Sequence, residues 1–199
     1  GDAGVFSFNG NKIITTGEGG MVTTNDAALA EKATLLRGQG MDPQRRYWFP
    51  IVGYNYRLTN IAAAIGLAQT EQIEEHIGYH QRVAQGYKVR LRHLEEFLVL
   101  PGQEPWADRV YWAYTVVLKD SAPCSRDGLM EALASRGIET RPVFPPVHNL
   151  PPYRPLQAHC PVADRLAAQG VTLPTHGLLS EADLDYIAEA MEATLRPSA

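Results

Sequence analysis

Apolar and polar positions come in short runs at the start of the chain and settle into helical periods further along. Residues 5–8, 13–16 and 21–24 are rich in β-branched and aromatic side chains, with glycine turns between them, which predicts three short β segments. Asn25 or Asp26 can cap a helix with the apolar stripe Leu29, Ala33 and Leu36, and Gly38 stands where such a helix ends in left-handed geometry. Residues 38–58 follow no period and read as a long ordered loop, a kind of segment that often carries function. Thr59 is an N-cap for the next helix, along which Ile61, Ile65, Ala68, Gln69 and Gln72 fall at helical spacing. Ile77, Val83, Tyr87, Leu91 and Leu94 extend the stripe, so the pattern predicts one long helix, kinked near Gly78 and ending about Glu96.

Beyond Pro101 the texture changes. Residues 111–118 read as a buried strand, 125–136 as a helix closed by Gly137, and 138–143 as a second strand, together a βαβ-like unit. The proline-rich residues 142–155 are excluded from regular structure. A short helix at 162–169 and a last one at 180–195 follow, the latter opening with a capping box from Ser180 to Asp183. The class is α/β. The expected division is residues 1–94, ending in the long helix, and a small α/β domain over 95–199.

Composition narrows the function more than the fold. The 199 residues carry a net charge of −4 and are 45% hydrophobic, ordinary values for a globular chain. No window holds the roughly 18 apolar residues of a membrane span, and the start has no signal-peptide pattern, so no membrane partner and a cytoplasmic location are expected. The longest basic run is Arg45-Arg46, which argues against a nucleic-acid partner. Cys124 and Cys160 lie far apart without clustered histidines, so no metal site is expected. The chain opens at Gly1 and within a few residues is in the apolar run 5–8, which is expected of the later part of a longer polypeptide.

Of the four lysines, Lys32, Lys88 and Lys119 sit on helices or at a strand end, where lysines are usually solvated. Lys12 follows an apolar strand within the turn around Asn9-Gly10-Asn11. A partly desolvated lysine gives up its proton more readily, which Schiff-base chemistry needs, although position alone favours an exposed turn lysine. The cluster Thr15-Thr16-Gly17-Glu18-Gly19-Gly20 would let backbone approach an anion, but its spacing is not that of a P-loop, and a ligand-free hairpin turn also fits.

Taken as one string, Ser7-Phe8-Asn9-Gly10-Asn11-Lys12 followed by residues 14–21 resembles the lysine segment of the DegT/DnrJ/EryC1/StrS sugar aminotransferases. The likeness continues in order through Arg46-Tyr47-Trp48-Phe49-Pro50, residues 53–61, Arg141-Pro142-Val143-Phe144 with His148, and Leu173-Pro174 before Ser180. It implies the C-terminal part of a pyridoxal-phosphate-dependent transferase of fold type I: the end of the large domain's sheet, a connecting helix and a small α/β domain. It further implies that Lys12 bonds the cofactor and moves a proton on the substrate, that Ser7 holds the cofactor phosphate, and that Asn55 reaches the phosphate of a neighbouring subunit in a homodimer. Local roles, a strand-end serine and an Asx turn, remain open for Ser7 and Asn55. Lysine rather than histidine at position 12 sets the chain apart from the family's dehydratase branch.

The same resemblance points to a nucleotide-sugar pocket involving Arg46, Tyr47, Trp48, Arg141 and His148, with Phe49 and Tyr153 nearby; packing in loops or at a dimer interface is the other reading. The implied reaction moves an amino group from glutamate to the C4 ketone of a nucleotide-linked 4-keto-6-deoxy sugar, GDP-4-keto-6-deoxymannose being favoured. The same chemistry on a UDP- or dTDP-linked sugar, or a non-catalytic fragment that dimerises or binds a sugar nucleotide without turning it over, are the alternatives. In the family an upstream half supplies the aspartate for the pyridine nitrogen, the ring-stacking group and further phosphate donors; Asp2 lies too close to Lys12 to be that aspartate.

Overall fold

The computed structural model describes residues 1–156 and 158–196, which form two compact units, 1–76 and 77–199. In the first, β1 (Ala3–Ser7) and β2 (Gly20–Thr24) make an antiparallel ladder from Ala3 opposite Thr24 to Ser7 opposite Gly20. Residues 13–16 do not form the expected middle strand. The amides of Thr15 and Thr16 bond outside a ladder: Thr16 N and Thr15 Oγ1 both donate to the Phe8 carbonyl, at 3.1 and 2.8 Å, and Thr15 N donates to a helix side chain.

Asp26 caps α1 (Ala27–Arg37) by accepting from the Leu29 amide, as the sequence suggests. Gly38 departs from expectation, with φ −94°; the left-handed residues are Gln39 and Gly40, at φ 68° and 76°. The reversal comes later because residues 38–58 themselves cap the helix. Its terminal carbonyls, those of Leu35, Leu36 and Arg37, accept from the amides of Gly40, Tyr54 and Tyr56. The loop crosses itself at Gly40 and Gly53. A Cβ on Gly53 would lie 2.2 Å from the Gly40 nitrogen, and one on Gly40 would lie 2.1 Å from the Ile51 oxygen. Only two glycines permit that crossing.

Thr59 caps α2 (Asn60–Glu71), accepting from Ala62 N. The helix stops at Gln72, and α3 (Ile73–Leu91) begins afresh, so the break falls six residues before the expected kink at Gly78. Gly78 has open space around it and stays helical. A short 3-10 turn, Arg92–Leu94, ends the run. The apolar positions of the first unit stay largely at the surface, with Val5, Phe6, Val22, Ile61 and Leu67 all more than half exposed.

The second unit has a conventional core. The sequence division at 94/95 differs from the start of this unit because Val83, Tyr87, Leu91 and Leu94 are buried in its core. They pack with alternate residues of β4 (Tyr114–Leu118), where Tyr114, Val116 and Leu118 point inward. Each such side chain contributes about 1.5–3 kcal/mol by leaving water. The sheet order is β3 (Leu98–Val99), β4, β6 (Gly170–Leu173), β5 (Arg141–Pro142), every neighbouring pair antiparallel. β4 and β5 therefore run parallel, as the βαβ reading expects, but β6 lies between them and β5 is cut to two residues by Pro142 and the prolines that follow. β3 and β6 escape the sequence reading because they are short.

Between these strands lie α4 (Arg126–Ala134), capped by Ser125, and α5 (Pro161–Gln169), close to their expected places. The proline-rich segment begins inside β5 at Pro142, one residue of regular structure against expectation, and then forms two 3-10 turns, Val147–Asn149 and Arg154–Leu156. α6 (Glu181–Leu195) buries Leu184, Ile187, Ala188, Ala190, Met191 and Leu195. Arg90 ties α3 to α6, with Nε 2.6 Å from Asp185 and Nη2 3.0 Å from Glu181.

Gly53→Ala is expected to cost about 2–4 kcal/mol in urea unfolding, because backbone rather than a flexible side chain meets the added carbon. The expected capping box is present, and the Ser180 hydroxyl and amide hold the Asp183 carboxyl below its ordinary range. A lowered folded-state value gives stability that is present above the ordinary carboxylate range and lost as pH falls through the lowered value. Ser180→Ala should raise the pH of the acid-unfolding midpoint, and an unmoved midpoint would show that the box does not govern it.

Candidate functional site

The site in the first unit is built on the loop joining β1 to β2. The Phe8 amide donates to Gly19 O at 2.9 Å, closing the loop at its base, and the Phe8 carbonyl receives Thr15 and Thr16. Asn9 starts a tight turn, its carbonyl accepting from Lys12 N at 3.0 Å and its Oδ1 from Gly10 N at 2.8 Å. Lys12 is half-buried in that turn. Ser7, at the end of β1, is exposed, and its hydroxyl accepts a long 3.4 Å bond from Asn9 N. Ser7 and Lys12 thus belong to one closed loop, and the local strand-end bond of Ser7 is present but weak.

A residue that the sequence reading placed only on a helical stripe proves to anchor this loop. Gln69 of α2 accepts at Oε1 from Thr15 N, at 3.0 Å. Thr16 beside it is buried, its hydroxyl donating to Glu18 O at 2.6 Å, and Gly66 leaves room for its methyl group. The available signal was a polar residue on the same helical face as Ile61 and Ile65.

Asn55 is exposed, and its backbone makes an isolated antiparallel bridge with Gly38. The hydrogen bonds of the described residues include no Asx turn there. Residues 45–49 form an exposed arch. The Asp42 carboxylate accepts from the amides of Gln44 and Arg45, the Arg45 guanidinium lies 4.1 Å from the Trp48 ring centre, and that of Arg46 lies 4.8 Å from that of Tyr47. Tyr47 holds φ 63° and is 71% exposed, so the arch presents cation-aromatic pairs to solvent rather than burying them.

The remaining predicted residues lie in the second unit. Arg141 stands exposed on β5, 3.4 Å from Glu139. His148 is largely buried, with Nε2 2.9 Å from Asp164 Oδ1 on α5; the same oxygen accepts from Asn149 Nδ2 at 2.7 Å. That carboxylate fastens the 3-10 turn at 147–149 to the helix, a packing role that sequence could not separate from ligand binding. Tyr153 is 45% exposed.

Residues 1–192 match the DegT/DnrJ/EryC1/StrS aminotransferase family. The chain belongs to that family. It is 50% identical over 196 residues to GDP-perosamine synthase of Caulobacter vibrioides, covering 98% of this chain and 53% of that protein. To GDP-perosamine synthase of Escherichia coli O157:H7 it is 40% identical over 191 residues, 96% of this chain and 51% of the relative. The chain therefore spans about half the length of the curated relatives it matches. Among solved structures, S. venezuelae DesV in complex with a ketimine intermediate aligns at TM-score 0.89 and 29% identity, over 100% of this chain and 53% of that one. DesI in the presence of its TDP-sugar product aligns at TM-score 0.88 and 31% identity, over 98% and 50%. This membership bears out the family resemblance, and the α/β architecture agrees with that of these aminotransferases.

Gln69→Leu keeps the helix and side-chain bulk but removes the acceptor. It should speed exchange of the Thr15 amide by on the order of tenfold with the circular dichroism unchanged. Exchange at the wild-type rate would show that Gln69 does not hold the loop.

Proposed function

We propose that this chain is the lysine-bearing part of a pyridoxal-phosphate-dependent aminotransferase acting on a nucleotide-linked 4-keto-6-deoxy sugar. GDP-4-keto-6-deoxymannose is the favoured acceptor, glutamate the donor and GDP-perosamine the product. The observation that carries this reading is the 50% identity to the C. vibrioides GDP-perosamine synthase along 98% of the chain. The residues present fit the cofactor. An exposed hydroxyl at Ser7 and a half-buried amine at Lys12 lie on one loop, closed by hydrogen bonds at its base. Ser7 has donor capacity to spare for a phosphate, because among the described residues its hydroxyl is engaged only as an acceptor from Asn9.

When bound, the cofactor supplies an electron sink that makes the proton on the adjoining substrate carbon removable. In this reading Lys12 bonds the cofactor at rest and, once released, takes and returns the proton at the reacting carbon. A flexible primary amine suits both tasks. The Phe8 and Gln69 bonds restrict where that amine travels. Ser7 donates to the phosphate, and Asn55 does so toward a second copy in a homodimer with composite sites. The exposed apolar surface at Ile61, Leu67, Tyr54 and Tyr56 supports a subunit interface in the first unit. Arg46, Tyr47 and Trp48 offer the diphosphate a cation and the base an aromatic face; Arg141 and His148 are proposed for the sugar side. Such an enzyme would serve cytoplasmic synthesis of O-antigen or another surface polysaccharide.

A second reading places a dTDP-linked sugar in the same chemistry, and the 31% identity to DesI, solved with its TDP-sugar product, supports it. The two separate in one assay of the full-length protein with glutamate. A kcat/KM at least tenfold higher on the GDP-linked keto sugar is expected, and the reverse preference overturns the GDP assignment. Lys12→Ala should abolish turnover on either sugar. Ser7→Ala should weaken cofactor binding by about tenfold to a hundredfold, as loss of a hydrogen bond to a charged group does; unchanged affinity would remove Ser7 from the phosphate cradle.

A further inference from the structure

The second unit contains a cavity of about 240 Å³ remote in sequence from Lys12 and from the predicted sugar-binding residues. One wall is the polar face of α3, where Gln81, Gln85 and Lys88 recur at helical spacing; the other is the loop from Pro101 to Tyr111. That loop is held in place. His80 Nδ1 lies 3.1 Å from Tyr111 O, and the Arg109 guanidinium bonds to Gly102 O and lies 5.1 Å from the Tyr111 ring centre. Lys88 and Arg109 bring two positive charges to the cavity, and no carboxylate is among the described residues that line it.

Tyr114 also lines the cavity. The residue is 1% exposed, and its hydroxyl is buried without a hydrogen-bond partner among the described residues. A hydroxyl taken out of water without a partner forfeits its hydration, so such groups in native proteins call for an explanation. Its neighbour Tyr87 has nearly the same burial but donates to Pro174 O at 2.9 Å, so the fold satisfies one phenol of this tilted pair, whose ring centres lie 5.0 Å apart, and leaves the other. Lysine and arginine offer only donors, and the glutamine amides and phenols add more. Two cations without an acid match a dianion, whereas a monocarboxylate would leave one charge uncompensated. The volume is below that of drug-sized pockets, which limits the ligand to a few heavy atoms beyond the anionic group.

We propose that this cavity binds a small phosphate-bearing ligand, either free phosphate or a short phosphate monoester, with Lys88 and Arg109 neutralising its charge and the Tyr114 hydroxyl supplying a donor. The proposal does not depend on the cofactor reading, since none of these residues belongs to the Lys12 loop.

The test is calorimetric titration of the full chain with inorganic phosphate, glycerol 3-phosphate and acetate at constant ionic strength, with thermal unfolding alongside. Saturable binding of a phosphate species is expected, weakened at least tenfold in Lys88→Met and in Arg109→Met. Tyr114→Phe should lose affinity while unfolding, without ligand, at the same or a higher temperature, because it removes an unsatisfied hydroxyl. Tighter binding of glycerol 3-phosphate identifies a monoester site, and tighter binding of inorganic phosphate a free-anion site; either supports the proposal. Absence of saturable binding up to about 20 mM, acetate binding as tight as phosphate, or wild-type affinity in the Lys88 and Arg109 variants would overturn it. The last result would also place any bound phosphate elsewhere, for instance on the Lys12 loop.

Discussion

One carbonyl oxygen organises the loop between β1 and β2 that carries Lys12. The Phe8 oxygen receives both the Thr16 amide and the Thr15 hydroxyl, so the chain that leaves β1 is brought back to the point it left. Between departure and return lie the Asn9 turn and Lys12. Without that double acceptor the segment would be a glycine-rich tether between two strands, with a freely roaming lysine. Gln69 adds the second restraint by accepting the Thr15 amide, so the loop is fixed to a helix as well as to a strand end. A reactive amine needs this kind of restriction, because proton transfer and covalent bonding depend on position more sharply than on affinity.

The two units reach order by different means. In residues 77–199 apolar burial does most of the work: α3, β4, β6 and α6 contribute to one cluster, and surface pairs such as Arg90 with Asp185 and Glu181 lock its edges. In residues 1–76 backbone hydrogen bonding takes the larger part. The long loop satisfies the last carbonyls of α1, two glycines let it cross itself, and most large apolar side chains remain at the surface. A loop so tightly accounted for can display Arg46, Tyr47 and Trp48 to solvent in a defined arch without a core beneath them.

Legibility of the sequence followed the range of the interactions. The caps at Asp26, Thr59 and Ser180 were readable because a cap is decided within three residues. The helical stripe from Val83 to Leu94 was readable because it packs on one face throughout. The break at Gln72 was not, since the apolar period continues across it and glycine at 78 offered a more conventional signal. Residues 13–16 look like a strand by composition, yet the amides of Thr15 and Thr16 and the Thr15 hydroxyl are claimed by Gln69 and Phe8, the former 54 residues from Thr15. β6 was hidden because a four-residue strand flanked by Gly170 and Pro174 has too little pattern, and only its two neighbours reveal that it splits the βαβ unit. At the site, Ser7 and Lys12 were legible as a motif. The tie from His148 to Asp164 was not, because histidine beside prolines fits ligand binding and packing alike.

In the proposed function, Lys12 is the amine that bonds the cofactor. Reduction of the full-length protein with borohydride in the presence of pyridoxal phosphate, followed by peptide mass spectrometry, reads it directly. The account predicts a phosphopyridoxyl adduct on Lys12, absent when the protein is pretreated to block that residue. A stoichiometric adduct on Lys32, Lys88 or Lys119 with Lys12 unmodified would contradict it.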